Sequence, residues 1–166
     1  MLDIIRVRTE TDAAEVRLLV AEFFDGLRDR YPEGAESFTA YWNQQDMPTQ
    51  LRDLLKIFAP PKAECLLARL NGEAVGIVMT KPFSGDMCEM NRMFVRPSAR
   101  GHGVGRVLVG EILDAARGLG YKRMMLASGT RHTEANALYR SFGFTHDPSL
   151  PDAGSGDVEV RMIREL

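Results

Sequence analysis

No apolar run in this chain approaches the roughly 20 residues that a membrane-crossing helix needs. Cysteine is also scarce. The two present, Cys65 and Cys88, do not suggest a secreted disulfide framework. Both fall in strand-like runs, where a buried reduced thiol is the plain expectation. An excess of positive charge is missing too: the formal net charge is −2, which provides no global field for nucleic acid. Neither an internal repeat nor a low-complexity segment is present. Met1-Leu2-Asp3 leads straight into an alternating pattern without the marks of a signal peptide. The expectations are therefore a cytoplasmic protein with no membrane and no nucleic-acid partner. His102, His132 and His146 show no ligand spacing, so no metal is expected. The 166 residues, 45% hydrophobic and 27% charged, can bury one core without staples. A single domain over residues 1–166 is expected.

One further scarcity is local. From Met90 to Gly110 there is no Asp or Glu, but there are four arginines, Arg92, Arg96, Arg100 and Arg106. The rest of the chain carries 17 basic and 23 acidic residues. Such a segment reads as an anion-seeking patch, or as a chance cluster on a solvated loop.

The periodicities place most elements. Asp3 to Arg8 alternates and reads as a strand. Thr9 or Thr11 can cap a helix whose face is Val16, Leu19, Val20, Phe23 and Phe24, fading between Gly26 and Pro32. A second helical region covers Glu36 to Phe58, broken near Met47-Pro48. Glu64–Leu70 and Ala74–Thr80 read as strands joined at Asn71-Gly72, a strong hairpin signal. Cys88–Val95 is another strand. Val104–Leu119 is a helix with the stripe Val104, Leu108, Ile112, Ala115 and Leu119. Arg123–Ala127 is a short strand, Thr133–Phe142 a helix, and Val158–Ile163 a last strand after a loose loop from Asp147 to Gly156. This order implies an α/β, or α+β layered, fold with a mixed sheet.

Three glycines, Gly101, Gly103 and Gly105, stand where a strand becomes a helix. A helix start carries four unbonded N–H groups and partial positive charge. Bare glycines there let an anion approach those donors. The dinucleotide fingerprint G-x-G-x-x-G fails, because Arg106 holds its third glycine position. The Walker A pattern fails for the same residue and for want of Lys-Ser/Thr. The pattern [RQ]-x-x-G-x-[GA] fits, on Arg100, Gly103 and Gly105.

With that loop in place, Cys88 to Phe144 closely resembles the GNAT superfamily of acyl-CoA-dependent N-acetyltransferases. CEMNRMFVRPSARGHGVGRVL is similar to that family's fourth strand, pyrophosphate loop and following helix. ALYRSFGF, Ala137 to Phe144, is similar to its late helix-to-strand signature. The resemblance implies a mixed, mostly antiparallel, twisted sheet of six to seven strands with helices on both faces. It implies acetyl-CoA as acyl donor and a primary amine of a small molecule or peptide as acceptor, attacking directly. A homodimer is compatible with the family.

It also implies residue roles. The pyrophosphate would meet Arg100, Gly101, His102, Gly103, Val104, Gly105 and Arg106. Pantetheine would run along Met93, Phe94 and Val95, with a backbone N–H near Phe94 polarising the thioester carbonyl. Tyr139 matches the family's general acid, which protonates the leaving thiolate; its plainer role is packing helix on sheet. Glu89 stands where some relatives carry a base. An amine of pKa ~10 is about 0.1% neutral at pH 7, a deficit of roughly 4 kcal/mol. Glu89 or ordered water would relieve it. The family often has Asn seven residues before the tyrosine. Here that position is His132, and His132 or Asn136 takes over the amide contact, or serves as a cap. A non-catalytic acetyl-CoA sensor is the alternative from another class.

The acceptor region would come from the first helices and the late loop. They hold Phe23, Phe24, Tyr31, Phe38, Tyr41 and Trp42 with Glu22, Asp25, Asp29, Glu33 and Asp46, then Asp147, Asp152 and Asp157. Acidic and aromatic together suit a cationic amine. An amphipathic helix pair with a solvated acidic face is the plainer reading.

Overall fold

The computed structural model describes residues 1–149 and 159–166. Strands β1 (Leu2–Arg6), β2 (Glu64–Leu70), β3 (Glu73–Ser84), β4 (Met87–Val95), β5 (Arg123–Gly129), β6 (Thr145–His146) and β7 (Glu159–Glu165) form one seven-stranded sheet. Its order is β1-β2-β3-β4-β5-β7-β6. Every neighbouring pair is antiparallel except β4 and β5, which run parallel. The expected mixed, mostly antiparallel sheet is present, with helices on both faces.

Period-two alternation sends each strand's side chains to two separate cores. Leu66, Ala68, Val78, Met90 and Met124 lie under helix α5 (Val104–Gly118), with Tyr139 of α6 (Thr133–Ser141). Cys65, Leu67, Ile77 and Met79 face the other way, against α1 (Glu10–Arg30), α3 (Met47–Arg52) and α4 (Leu54–Ile57). Helix α2 (Ala35–Gln44) lies beside them; its Trp42 meets Phe24 of α1 edge-on, 5.1 Å between centroids. Both cysteines are free and buried. Among the described residues no helix is long and apolar enough to cross a membrane.

Local chemistry explains the boundaries. Thr9 is the cap of α1, accepting from the Asp12 N–H at 3.2 Å. Asn71 and Gly72 have φ of 52° and 85°, the paired positive values of a tight two-residue hairpin. Helix α1 ends at Arg30, within the span where it was expected to fade, and tertiary contacts hold that end. The expected break near Met47-Pro48 is present, at Asp46 in the left-handed region. Three expectations need correction. The second helical region breaks again at Asp53, which makes it three helices. Strand β3 runs on to Ser84. The two-residue strand β6 is too short to leave a periodic signature. The expected start of the last strand, Val158, lies outside the described residues, as do Asp152, Asp157 and most of the expected late loop.

Candidate functional site

Strands β4 and β5 pair from Met87↔Arg123 to Met90↔Leu126 and then part. Beyond that point β4 continues to Val95 against β3, and β5 continues to Gly129 against β7. The sheet thus opens in its middle. A groove of about 380 Å³ lies at the opening. Phe23, Gly26, Leu27, Asp29 and Arg30 of α1 form one wall, and Phe94, Pro97, Arg100 and His132 the other.

The glycine turn ends this groove. Among the described residues, no carbonyl accepts from the N–H groups of Gly101, His102, Gly103, Val104, Gly105 or Arg106. The glycines differ in purpose. Gly101 and Gly103 have φ of 80° and 78°, and a Cβ on either would meet nothing within 4 Å. They are needed for backbone conformation. At Gly105 a Cβ would lie 3.0 Å from Met93 Cε and 3.3 Å from Leu138 Cδ2. This glycine lets α5 close on β4 and α6, so its bareness serves packing rather than ligand approach.

The four arginines do not form one patch. Arg96 pairs with Glu22 at 2.7 Å and Glu73 at 3.1 Å. Arg106 donates to Ser141 Oγ and lies over the Phe142 ring, 5.3 Å from its centroid. Arg92 is buried on the α1 side. Only Arg100 lines the groove, with Nε donating to the Val95 carbonyl at 3.2 Å. Sequence proximity overstated the positive field, because Glu22 comes from 74 positions away.

His132 and Asn136 stand on the β5 side, at the start of α6. The Asn136 amide donates to the Gly129 carbonyl at 3.0 Å. Asn136 Oδ1 and His132 Nε2 are buried without partners. Burial, aided by Arg30 and Arg100, pushes the His132 pKa down, which favours the neutral ring. His132 also stacks on Tyr31, with centroids 5.7 Å apart and planes 10° from parallel. Tyr31 accepts from the Arg131 N–H at 2.8 Å. Arg30 and Arg131 each donate to the other's carbonyl at 2.8 Å. Together these contacts latch the end of α1 to the β5–α6 loop. Sequence reasoning missed the latch: its halves lie about 100 positions apart and no local pattern joins them.

Tyr139 is 6% exposed and meets Phe144 edge-on. Burial pushes its phenol pKa up, so the group stays protonated. Glu89 is half-buried, opposite Lys81 on β3 and Met125 on β5. It shares the α1 face with Asn91, as alternation predicts. A bulge follows: Ile77 pairs with Phe94 but Met79 with Asn91, so β4 carries one extra residue. Arg92, at φ 49°, occupies it. Phe94 turns toward α1, its ring 6.3 Å from Phe23.

The acidic and aromatic residues of the first helices do not surround one cavity. Phe24 packs with Tyr41 and Trp42 in the core. Glu22 is taken by Arg96, Asp25 by Arg28, and Glu33 by Arg131. Of the set, Phe23 and Asp29 line the groove.

The comparisons with known proteins agree with this architecture. Residues 21–144 match the acetyltransferase (GNAT) family model. The chain is 36% identical over 120 residues to the uncharacterised N-acetyltransferase YjgM of Escherichia coli, covering 70% of this chain and 72% of that one. An uncharacterised N-acetyltransferase of Schizosaccharomyces pombe is 32% identical over 164 residues, 97% of this chain and 94% of its own length. The PaiA N-acetyltransferase of Thermoplasma acidophilum, solved with coenzyme A, superposes with a TM-score of 0.75 at 15% identity, over 100% of this chain and 99% of that one. A sheet opened between two parallel strands, a glycine turn with free amides and a family match across three quarters of the sequence lead to one conclusion: this chain belongs to the GNAT family of acetyltransferases.

Proposed function

We propose that the protein transfers the acetyl group of acetyl-CoA to a primary amine by direct attack. The observation that carries this reading is the parting of β4 and β5 after Met90 and Leu126, with free amides at one end of the gap. Two further features fit an extended, amide-bearing donor: the partnerless His132 Nε2 and Asn136 Oδ1 along the opening. The coenzyme A bound to the Thermoplasma relative supports it as well.

The donor's diphosphate is held by the main-chain N–H groups of Gly101 to Arg106, with Arg100 adding charge. Met93, Phe94 and Val95 offer the strand edge to its pantetheine amides, while His132 and Asn136 reach it from the β5 side. A backbone N–H near Phe94 faces the thioester oxygen, a contact worth about 3 kcal/mol in the transition state. Glu89, directly or through water, takes a proton from the ammonium acceptor. The amine nitrogen then bonds to the acetyl carbon, the carbon–sulfur bond breaks, and its electron pair leaves on sulfur. Tyr139 gives its proton to that thiolate. The surplus proton on the new amide nitrogen passes through solvent to restore Tyr139, and Glu89 releases its proton to solvent.

The test is thiol release from acetyl-CoA with a panel of primary amines, with mass spectrometry of the products. Acetylated amine is the expected result. Acetyl-CoA binding without turnover on any amine would replace the enzyme with a sensor. Absence of binding in calorimetry would overturn both.

A further inference from the structure

Resting on the transferase reading above, we propose that the amine acceptor carries a carboxylate, and that Arg92 recognises it while Asn91 and Glu89 receive the amine. The acceptor class is then an amino acid or a close analogue, not a simple alkylamine.

The starting point is a buried cation whose surroundings do not meet its charge. Arg92 is 5% exposed. Its Nη2 lies 2.9 Å from Met47 Sδ and its Nη1 3.9 Å from Met79 Sδ, both weak acceptors. Its guanidinium sits over the Phe58 ring at 5.8 Å. Nε, among the described residues, has no hydrogen-bond partner. Among the described residues no carboxylate comes within ion-pair distance of Arg92. Apolar and sulfur neighbours do not compensate a buried guanidinium. The backbone is also held in the left-handed region at φ 49°, which a bulky side chain adopts only when the surroundings require it.

The charges near Arg92 point the same way. Lys81 is half-buried and, among the described residues, donates only to the neutral Gln45 Oε1, at 3.0 Å. Glu89 stands beside it across the ladder. Glu159, which also acts on Tyr41, is matched by Arg161 at 3.0 Å. Lys81 and Arg92 against Glu89 then leave an excess of one positive charge, with the Tyr41 hydroxyl as a polar neighbour of Arg92. One bound carboxylate would balance it. Burial pushes the Lys81 and Arg92 pKa values down, as expected for cations whose charge is under-compensated; burial also pushes that of Tyr41 up, against the pull of Arg92.

The neighbouring residue supplies the complement. Asn91 is 5% exposed, and its Oδ1 is buried without a donor. Adjacent residues thus present an unused donor, Arg92 Nε, and an unused acceptor, Asn91 Oδ1. A molecule with a carboxylate near an amine satisfies both. Its nitrogen then lies on the face that Glu89 shares, a few residues along β4 from the proposed thioester contact at Phe94.

The experiment uses matched acceptors with acetyl-CoA: amino acids, their carboxamides and the corresponding decarboxylated amines. The acids are expected to have kcat/KM at least tenfold above their carboxamide and amine counterparts. In Arg92→Met that ratio collapses toward one, through a raised KM for the acids, while calorimetry finds acetyl-CoA still bound. The same variant has an equal or higher Tm, since an apolar side chain removes an uncompensated charge. Arg92→Lys keeps part of the preference and covers the case that Arg92→Met does not fold. Equal or better turnover of decarboxylated amines would overturn the proposal and leave the transferase reading standing. So would a fall in Tm of Arg92→Met with an unchanged acid preference. If no amine is acetylated, a shift in wild-type Tm by amino acids but not their carboxamides, lost in Arg92→Met, still supports the carboxylate site. No such shift refutes it.

Discussion

Glu64 on β2 and Arg92 on β4 are both shielded from water, 0% and 5% exposed, yet their surroundings differ. Glu64 accepts from Arg8 at 2.7 and 2.8 Å, from Arg6 at 2.8 Å and from the Cys65 N–H at 3.0 Å. Burial pushes its pKa up, but those donors outweigh it and hold the carboxyl below its usual range. Arg92 has two thioethers, a phenyl ring and the neutral Tyr41 hydroxyl. The first charge is met from within the fold and ties β1 to β2. The second is buried with its Nε unmatched, two residues beyond the point where β4 and β5 part. On the proposal above, the contrast separates a region built for stability from one that receives a molecule. It implies that variants on one side should move Tm, and on the other kinetics.

The largest effect should come from Glu64→Ala, which strips an acceptor from two arginines and a backbone N–H. A loss of about 3 kcal/mol is expected, read by urea denaturation, with acetyl-CoA affinity retained in the folded fraction. An unchanged midpoint would erase the distinction. Next is Tyr139→Phe, which should lower kcat about 100-fold, some 2.7 kcal/mol of barrier. The KM for acetyl-CoA and the Tm should barely move. The raised phenol pKa implies no rate loss from this group between pH 7 and about 9, because the proton it donates stays in place. A kcat equal to the parent's would remove the acid role. Gly103→Val should weaken coenzyme A binding at least tenfold, about 1.4 kcal/mol, because a β-branched residue cannot hold φ 78° without shifting the turn, while the open space around it leaves the core untouched. Calorimetry with undiminished affinity would detach the turn from the diphosphate.

The smallest effect concerns acid. A carboxyl whose folded pKa is depressed contributes fully above its unfolded value and loses that contribution as pH falls through the folded one. Stability should therefore decline below about pH 4.3, the ordinary Glu value, and Glu64→Gln should flatten the decline. An identical acid profile in the variant would mean that other carboxyls carry it.

Most of the scaffold was readable before any coordinate. Asn71-Gly72 specified its hairpin, the stripe from Val104 to Ala115 specified α5, and Arg100, Gly103 and Gly105 marked the turn with free amides. What escaped depended on partners distant in the chain. The run from Cys88 to Val95 reads as an unbroken strand, and nothing in it announces the bulge at Arg92. The run of arginines reads as a patch until Glu22 and Glu73 neutralise Arg96. No local pattern announces that Arg30 and Tyr31, at the end of helix α1, are anchored to a loop a hundred residues later. Periodicity reports which face of an element is apolar; it does not report which charge will meet another.

Unpaired strand edges ordinarily have to be defended, since any passing chain can add itself to them. This protein keeps such an edge inside its own sheet, between β4 and β5, under the Tyr31–His132 stack. The opening is walled by α1 on one side and by Phe94, Pro97, Arg100 and His132 on the other. On the reading proposed above, the hydrogen-bonding hunger that drives aggregation elsewhere is confined here to a slender linear amide.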